Sequence, residues 1–121
     1  MSVFSDQQKF MEAGDQTVGH FNEAQFNMYV NLIDEEFNHE LKEAIANNDR
    51  VEIFDALLDI VVVTIGAMHS LGVDARDGWD EVMATNFAKI DPETGKVRKR
   101  EDGKILKPEG WVAPDLSKFI K

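Results

Sequence analysis

Apolar residues recur at steps of three and four along much of the chain, which is the spacing of amphipathic helices. The longest such pattern predicts a helix over 22–46, ended by the polar run Asn47–Asn48–Asp49. Its apolar positions are Phe26, Tyr29, Val30, Ile33, Phe37, Leu41 and Ala44. A shorter helix is predicted over 5–13, with Ser5 as its N-cap and Gly14 at its end.

The third predicted helix runs over 50–71, from the N-cap residue Asp49 to a stop at Gly72. It is apolar nearly all round from Ile53 to Ile65, which is typical of a helix at the centre of a bundle. A fourth helix is predicted over 77–89. Because the break between the second and third helices is short, the two should fold back on each other. The pattern therefore predicts an all-α antiparallel bundle of about four helices.

After Asp91 the pattern changes to two short β-prone runs on either side of Asp102–Gly103, a typical hairpin turn. We therefore expect a small C-terminal β-hairpin and tail over 91–121, attached to a helical body over 1–90. A last helical turn is expected within 115–120. The chain has no sign of a second core, so residues 1–121 are predicted to form a single domain.

Charge and composition exclude several classes of protein. The chain has no cysteine, so disulfides, thiolate catalysis and cysteine-ligated metals are excluded. Its net charge is −10, which argues against nucleic acid as a partner, although nine of the 13 Lys and Arg residues follow residue 88. The longest run without a charged residue, Ile60–Val73, is too short to span a membrane. Since the first residues also do not resemble a secretory signal, we expect a soluble protein of the cytoplasm with no membrane partner.

Acidic side chains share the apolar faces of the two long predicted helices, where lone charges are costly. At about 100° per residue, three acids of the second helix fall on its apolar stripe: Glu36, Glu40 and Glu43. Three acids of the third helix fall among small apolar residues: Glu52, Asp55 and Asp59. Folding the helices about residues 47–49 sets Glu43 opposite Glu52, Glu40 opposite Asp55 or Ala56, and Glu36 opposite Asp59.

Facing carboxylates without a cationic side chain raise one another's pKa and require an offsetting charge. A hard divalent cation supplies that charge, and a set of oxygen ligands suits Mg²⁺, with Mn²⁺ as a second possibility. The sequence thus predicts a metal site between the two helices. The opposing interpretation is that all these acids are solvated surface residues.

At these positions the chain resembles the all-α NTP pyrophosphohydrolases of the MazG-like superfamily. The family pattern is Glu-x-x-Glu on one helix and Glu-x-x-Asp on the next, and Glu52-Ile53-Phe54-Asp55 matches its second half. Glu36 matches the first glutamate, but His39 stands three residues later and Glu40 follows it. Asn86-Phe87-Ala88-Lys89 resembles the family's Asn-x-x-Lys, and the tail after Gly95 is similar to small phage-encoded members.

The resemblance implies Mg²⁺-dependent hydrolysis of a (deoxy)nucleoside triphosphate between its α and β phosphates, which gives a monophosphate and pyrophosphate. It implies that the catalytic and metal-binding residues are Glu36, Glu40, Glu52 and Asp55. His39 and Asp59 are secondary metal candidates. It also suggests substrate-binding residues that neutralise phosphate or bind the sugar: Asn86, Lys89, Lys96, Arg98 and Lys104. A homodimer or homotetramer is expected, because family members form both.

Three alternatives remain open from the sequence. Phosphoribosyl-ATP pyrophosphohydrolase lies in the same superfamily and breaks the same bond. A di-metal carboxylate bundle protein would use Glu36-x-x-His39, but it needs a second Glu-x-x-His, and neither His20 nor His69 supplies one. A non-catalytic helical interaction module would leave the acids solvated and bind no metal specifically.

Overall fold

A computed structural model describes residues 2–121, and within that range the chain is helical and contains no β-strand. Four helical arms follow one another, and the second of them is made of three consecutive segments. The arms are α1 (Val3–Ala13); α2 (Glu23–Glu35), a π-helical turn (Glu36–Leu41) and α3 (Lys42–Ala46); α4 (Arg50–Leu71); and α5 (Ala75–Phe87). The predicted all-α class with about four helices is confirmed, and the arrangement is consistent with a helical bundle.

The first compact unit holds the described residues up to Ala75 together with Ile120–Lys121. In it α2 and α3 fold back along α4, and α1 also packs on α4. Met11, Tyr29 and Ala67 form the buried core, one from each of α1, α2 and α4. A Cβ at Gly66 would overlap the Tyr29 ring, so the contact between α2 and α4 requires glycine there.

The ends of the helices follow capping chemistry. The side chain of Asp49 accepts a hydrogen bond from the Glu52 N–H (3.1 Å), and Gly72 ends α4 in the left-handed conformation, as predicted. The predicted start of α1 is wrong, because Ser2 is the N-cap. Ser5 stands three residues later and its hydroxyl accepts a hydrogen bond from the Ser2 N–H, completing a capping box.

The predicted helix over 22–46 is not a continuous α-helix. Asn22 is its N-cap, and the backbone passes through the π-helical turn Glu36–Leu41 before α3 begins. A π turn closes its hydrogen bonds over five residues instead of four, and such turns are frequent at functional sites. Angles counted at about 100° per residue therefore do not hold across this turn, which includes three of the predicted metal candidates: Glu36, His39 and Glu40.

Helix α4 is not buried on all sides within the chain. Ala56 and Ile65 are buried, but Phe54 is 64% exposed and Val51 76% exposed. Leu57, Leu58, Val61 and Val62 are also exposed. Helix α4 is central in the first unit, since α1, α2, the π-helical turn and α3 all contact it, but the described residues leave part of its apolar surface exposed.

The second compact unit comprises Arg76–Phe119. The predicted β-hairpin is not supported, since the segment after α5 has only isolated bridges, Ile90↔Val97 and Lys99↔Ile105. Gly103 does make a turn, at φ 88°. A two-stranded hairpin needs an apolar face that packs against a core, and the apolar residues that follow the turn, Ile105 and Leu106, are exposed. A 3₁₀ turn at Ser117–Phe119 lies inside the predicted last helical turn.

The compact units divide at Ala75, whereas the sequence suggested a helical body over 1–90 and a tail over 91–121. That the whole chain is one domain stays a prediction. None of the described helices combines the length and hydrophobicity needed to cross a bilayer.

Candidate active site

The carboxylate of Glu36 is the most unusual polar group of the first unit. Glu36 opens the π-helical turn on the arm that packs against α4. Its Oε2 atom is buried and has no hydrogen-bond partner among the described residues. A buried oxygen without a donor is costly, so its retention here calls for a ligand or a function.

The electrostatic surroundings of Glu36 are acidic. Burial raises the pKa of the Glu36 carboxyl above the ordinary value of a glutamate. The charge of Asp59 is the next largest cause of the raised pKa, and Glu40, Glu35 and Asp55 add to it in that order. The structure therefore brings Glu36 close to Asp59 and Asp55 of α4, which matches the pairing expected from folding the two helices together.

A second group of acids lies toward the α3–α4 connection. A hollow of about 190 Å³ is lined there by Ala44, Asn47 and four acids: Glu40, Glu43, Asp49 and Glu52. Glu43 and Glu52 both line it, which agrees with the predicted pairing. Glu40 belongs to both groups, because it lines this hollow and its charge also acts on Glu36.

The acidic side chains of this region suit a hard divalent cation, because such an ion prefers carboxylate oxygens as ligands. One of these oxygens, Glu36 Oε2, is buried without a hydrogen-bond partner. These acids do not form a complete set of metal ligands in this structure. Within residues 2–121, no three acidic or histidine side chains stand close enough together to hold an ion. His39 is exposed, as are Glu40, Glu52 and Asp55, whereas Asp59 is half-buried like Glu36.

The predicted substrate-binding residues lie in the second unit, where two of them are joined directly. The Lys89 ammonium donates a hydrogen bond to Asn86 Oδ1 (3.0 Å) and lies 5.0 Å from the centre of the Trp111 ring. Trp111 is fixed by its indole N–H, which donates to the Thr85 carbonyl (2.7 Å). Lys107 approaches the same ring at 4.9 Å.

Lys89 and Arg98 line one cavity of about 300 Å³, together with Asp91 and several apolar residues. Neither Lys89 nor Arg98 forms an ion pair with another described residue, so both cations are available to an anion. Lys96 and Lys104 are exposed and do not line this cavity. The structure thus separates Lys89 and Arg98 from the other two predicted basic residues.

A known protein family matches the part of the chain that contains both groups of acids. The family model of phosphoribosyl-ATP pyrophosphohydrolase matches residues 6–86, about two thirds of the chain. The chain belongs to this family. No individual curated protein matches significantly. The family lies within the all-α NTP pyrophosphohydrolase superfamily, so the resemblance drawn from the sequence is confirmed at that level, but not the narrower assignment to small phage-type members.

Membership in the phosphoribosyl-ATP pyrophosphohydrolase family indicates an enzyme that hydrolyses a nucleotide anhydride. The matched residues include all six predicted metal candidates and Asn86, while Lys89, Arg98 and the cavity they line follow residue 86. The part of the chain beyond the family match therefore carries most of the predicted phosphate-binding residues.

Sequence reasoning missed three features of the site. Lys107 lies over the same Trp111 ring as Lys89, but nothing in the sequence indicated that these two distant lysines share a ring. Asp49 was interpreted only as a helix cap, although it also lines the acidic hollow. The π-helical turn was missed because local helix propensity does not distinguish it from an α turn. Its only trace in the sequence is the change from Glu-x-x-Glu to Glu-x-x-x-Glu.

Proposed function

We propose that the chain is a Mg²⁺-dependent nucleotide pyrophosphohydrolase that cleaves the anhydride between the α and β phosphates of its substrate. The observation that carries the proposal is the buried, unpartnered carboxylate of Glu36, which faces the acids of α4 in a chain of this family. Water as nucleophile then gives a nucleoside monophosphate and pyrophosphate.

The metal would be held by Glu36 and Glu40 from the second arm and by Glu52 and Asp55 from α4. Asp59 is a further candidate ligand, since of all the acids its negative charge raises the Glu36 pKa most. A bound Mg²⁺ supplies charge neutralisation at phosphate oxygens and lowers the pKa of a coordinated water. A carboxylate left free of the metal can accept the proton of the attacking water. Mn²⁺ is an acceptable substitute because it prefers the same ligands.

Phosphate binding is assigned first to Lys89 and Arg98, because both line one cavity and neither is paired with an acid. A lysine or arginine that hydrogen-bonds a phosphate forms a charge-assisted contact. Asn86 orients the Lys89 ammonium through its Oδ1 atom. Lys96 and Lys104 remain proposed as outer contacts that raise the local concentration of an anionic substrate.

Phosphoribosyl-ATP is the first candidate substrate, because the family model is that of its pyrophosphohydrolase. Ordinary (deoxy)nucleoside triphosphates are the second candidate. They are kept because the cavity that contains Lys89 and Arg98 is formed by residues beyond the matched range. Both candidates share the same scissile bond, so the proposed chemistry does not depend on the choice.

We further propose that the protein works as a homodimer or homotetramer. The exposed apolar residues of α4 recur at helical spacing, as Val51, Phe54, Leu58 and Val61. Contiguous apolar surface of this kind marks an interaction site in a folded protein. A second copy of the chain is the proposed partner, because it would bury the side of α4 that its own chain leaves uncovered.

The test is a substrate panel with Mg²⁺ that includes phosphoribosyl-ATP and the eight common (d)NTPs, scored for monophosphate and pyrophosphate. Asp55→Asn keeps the size of the side chain but removes its charge, so it should abolish turnover and leave the helical circular dichroism unchanged. Glu12→Gln, an exposed acid of α1, is the matched control. Near-normal turnover by Asp55→Asn at saturating Mg²⁺ would contradict the metal assignment.

A further inference from the structure

The π-helical turn Glu36–Leu41 interrupts the arm at the position of the proposed metal ligands, and it shifts the helical register there. Tyr29 lies before the turn, and Leu41 and Ala44 lie at its end and after it. All three are buried, at 5%, 7% and 6% exposure, so all three must point toward the interior.

A continuous α-helix would spread these three residues over about 120° of its circumference. At about 100° per residue, Leu41 would point roughly 120° away from Tyr29, and Ala44 roughly 60° away on the same side. If one residue is left out of the count, Leu41 comes to about 20° and Ala44 to about −40°, and both align with Tyr29. The π turn has this effect, because it closes over one residue more than an α turn.

The same correction keeps Glu40 beside Glu36 but takes His39 away from it. Glu36 precedes the extra residue and lies about 20° from Tyr29, on the buried side. With one residue left out, Glu40 lies about three α-helical steps from Glu36, which is the spacing of neighbours on a helix surface. His39 then points about 180° away from Tyr29, toward solvent. Two observations agree with this: His39 is exposed, and Glu40 is among the charges acting on Glu36.

A side-chain contact also marks the widened turn. The Lys42 ammonium lies 5.1 Å from the centre of the Phe37 ring, although the two residues are five positions apart. In an α-helix the neighbours on the surface are three or four positions apart. The contact between Phe37 and Lys42 is therefore what one additional residue in the turn produces.

We infer that the π-helical turn takes one residue out of the helical register, and that it thereby turns His39 away from the acid groups while Glu40 remains a neighbour of Glu36. Residues three and four apart are both neighbours on a helix surface, so the effect of the turn is to make Glu40, and not His39, the second ligand candidate of this arm. This inference rests on the proposed function only for the metal-binding role of Glu40; the register itself follows from the buried residues.

Deletion of Asn38 tests the register. Asn38 is exposed and its side chain bonds only the nearby Asp34, so Asn38→Ala is the matched control that loses the side chain but keeps the residue count. We expect the deletion variant to have a continuous α-helix and a melting temperature within about 3 °C of Asn38→Ala. Insertion of alanine after Asn38 should lower the melting temperature by more than about 10 °C, because Leu41 and Ala44 then rotate away from α4. A comparable loss on deletion would overturn the inference.

Mn²⁺ titration followed by thermal unfolding tests the choice of ligand, because an ion that binds only the native state raises the melting temperature. We expect the Mn²⁺-induced rise in wild type, in His39→Ala and in the Asn38 deletion, and its loss in Glu40→Gln. Loss in His39→Ala with retention in Glu40→Gln would overturn the inference. If wild type itself shows no response, the proposed metal-dependent function fails, while the deletion still decides the register.

Discussion

Glu36 combines a buried carboxylate oxygen without a donor and a ring of acidic neighbours on α4 and on its own turn. Without a cation bound beside it, the buried charge of Glu36 lowers the free energy of unfolding. The residue therefore connects stability to metal binding, and both can be measured on the same variant. It was predictable that the acids of the second arm face those of α4, because the short connection at residues 47–49 makes the two helices fold back on each other.

The raised pKa of Glu36 has a definite consequence for stability in EDTA. A carboxyl with a higher pKa in the folded state binds its proton more tightly there, so stability falls as pH rises from the ordinary glutamate pKa through the raised one. Glu36→Gln should therefore be more stable than wild type at pH 7, and this advantage should shrink below about pH 4. Thermal melts across this pH range measure it, with Glu12→Gln as the control. An equal advantage at every pH would contradict burial of the charged carboxylate as the cause.

Addition of Mn²⁺ should reverse the order of these two proteins at pH 7. An ion at 100 times its dissociation constant stabilises the native state by about 2.7 kcal/mol. Wild type gains this stabilisation and Glu36→Gln does not, because the ligand is missing. Denaturant unfolding with and without Mn²⁺ checks the result, and an equal gain in both proteins would remove Glu36 from the metal site.

Helix packing in the first unit depends on a glycine. The Tyr29 ring occupies the space that a Cβ at Gly66 would fill, and Tyr29 is held by Gln16 through its hydroxyl. Gly66→Ala should lower the free energy of unfolding by about 1–3 kcal/mol, because the buried ring must shift. Gly78→Ala is the control, since its Cβ would meet only Phe119 at 3.9 Å and the helix gains from alanine. Equal effects of the two substitutions would contradict this packing.

The second unit makes a prediction about substrate affinity. Loss of a charge-assisted hydrogen bond to phosphate costs about 1.5–3 kcal/mol, which corresponds to a factor of roughly 10 to 100. Lys89→Ala should raise KM within that range and change the circular dichroism little. Lys99→Ala, an exposed cation that does not line the cavity, should leave KM unchanged. An unchanged KM in Lys89→Ala would limit Lys89 to its contacts with Asn86 and Trp111.

The elements that could be predicted from the sequence are those set by local chemistry. Asp49 and Gly72 mark their helix ends with caps whose geometry is nearly independent of the fold. The π turn could not be predicted, because the alignment of Tyr29, Leu41 and Ala44 matters only through their packing in the folded unit, and local helix propensity does not register it. The hairpin prediction failed for a similar reason, since a turn at Gly103 does not provide the packed face that strands require.

The molecule as a single chain leaves a large apolar surface uncovered on α4. The sequence predicted the burial of this helix but could not say whether its own chain or another copy would cover it. The double substitution Phe54→Ser with Leu58→Ser should weaken self-association, as measured by light scattering across a concentration series. Val112→Ser, which replaces a side chain 77% exposed in the second unit, is the control. Unchanged association of the double variant would place the interface elsewhere.

The reaction proposed for this chain is cleavage of its nucleotide between the α and β phosphates by attack of water. The most direct measurement is ³¹P NMR of the products formed in ¹⁸O water, with the substrate that turns over best in the panel. We expect a monophosphate that carries the label and an unlabelled pyrophosphate, because the α phosphorus is the atom attacked. Label in the pyrophosphate, or orthophosphate and a diphosphate nucleotide as the main products, would contradict this reaction.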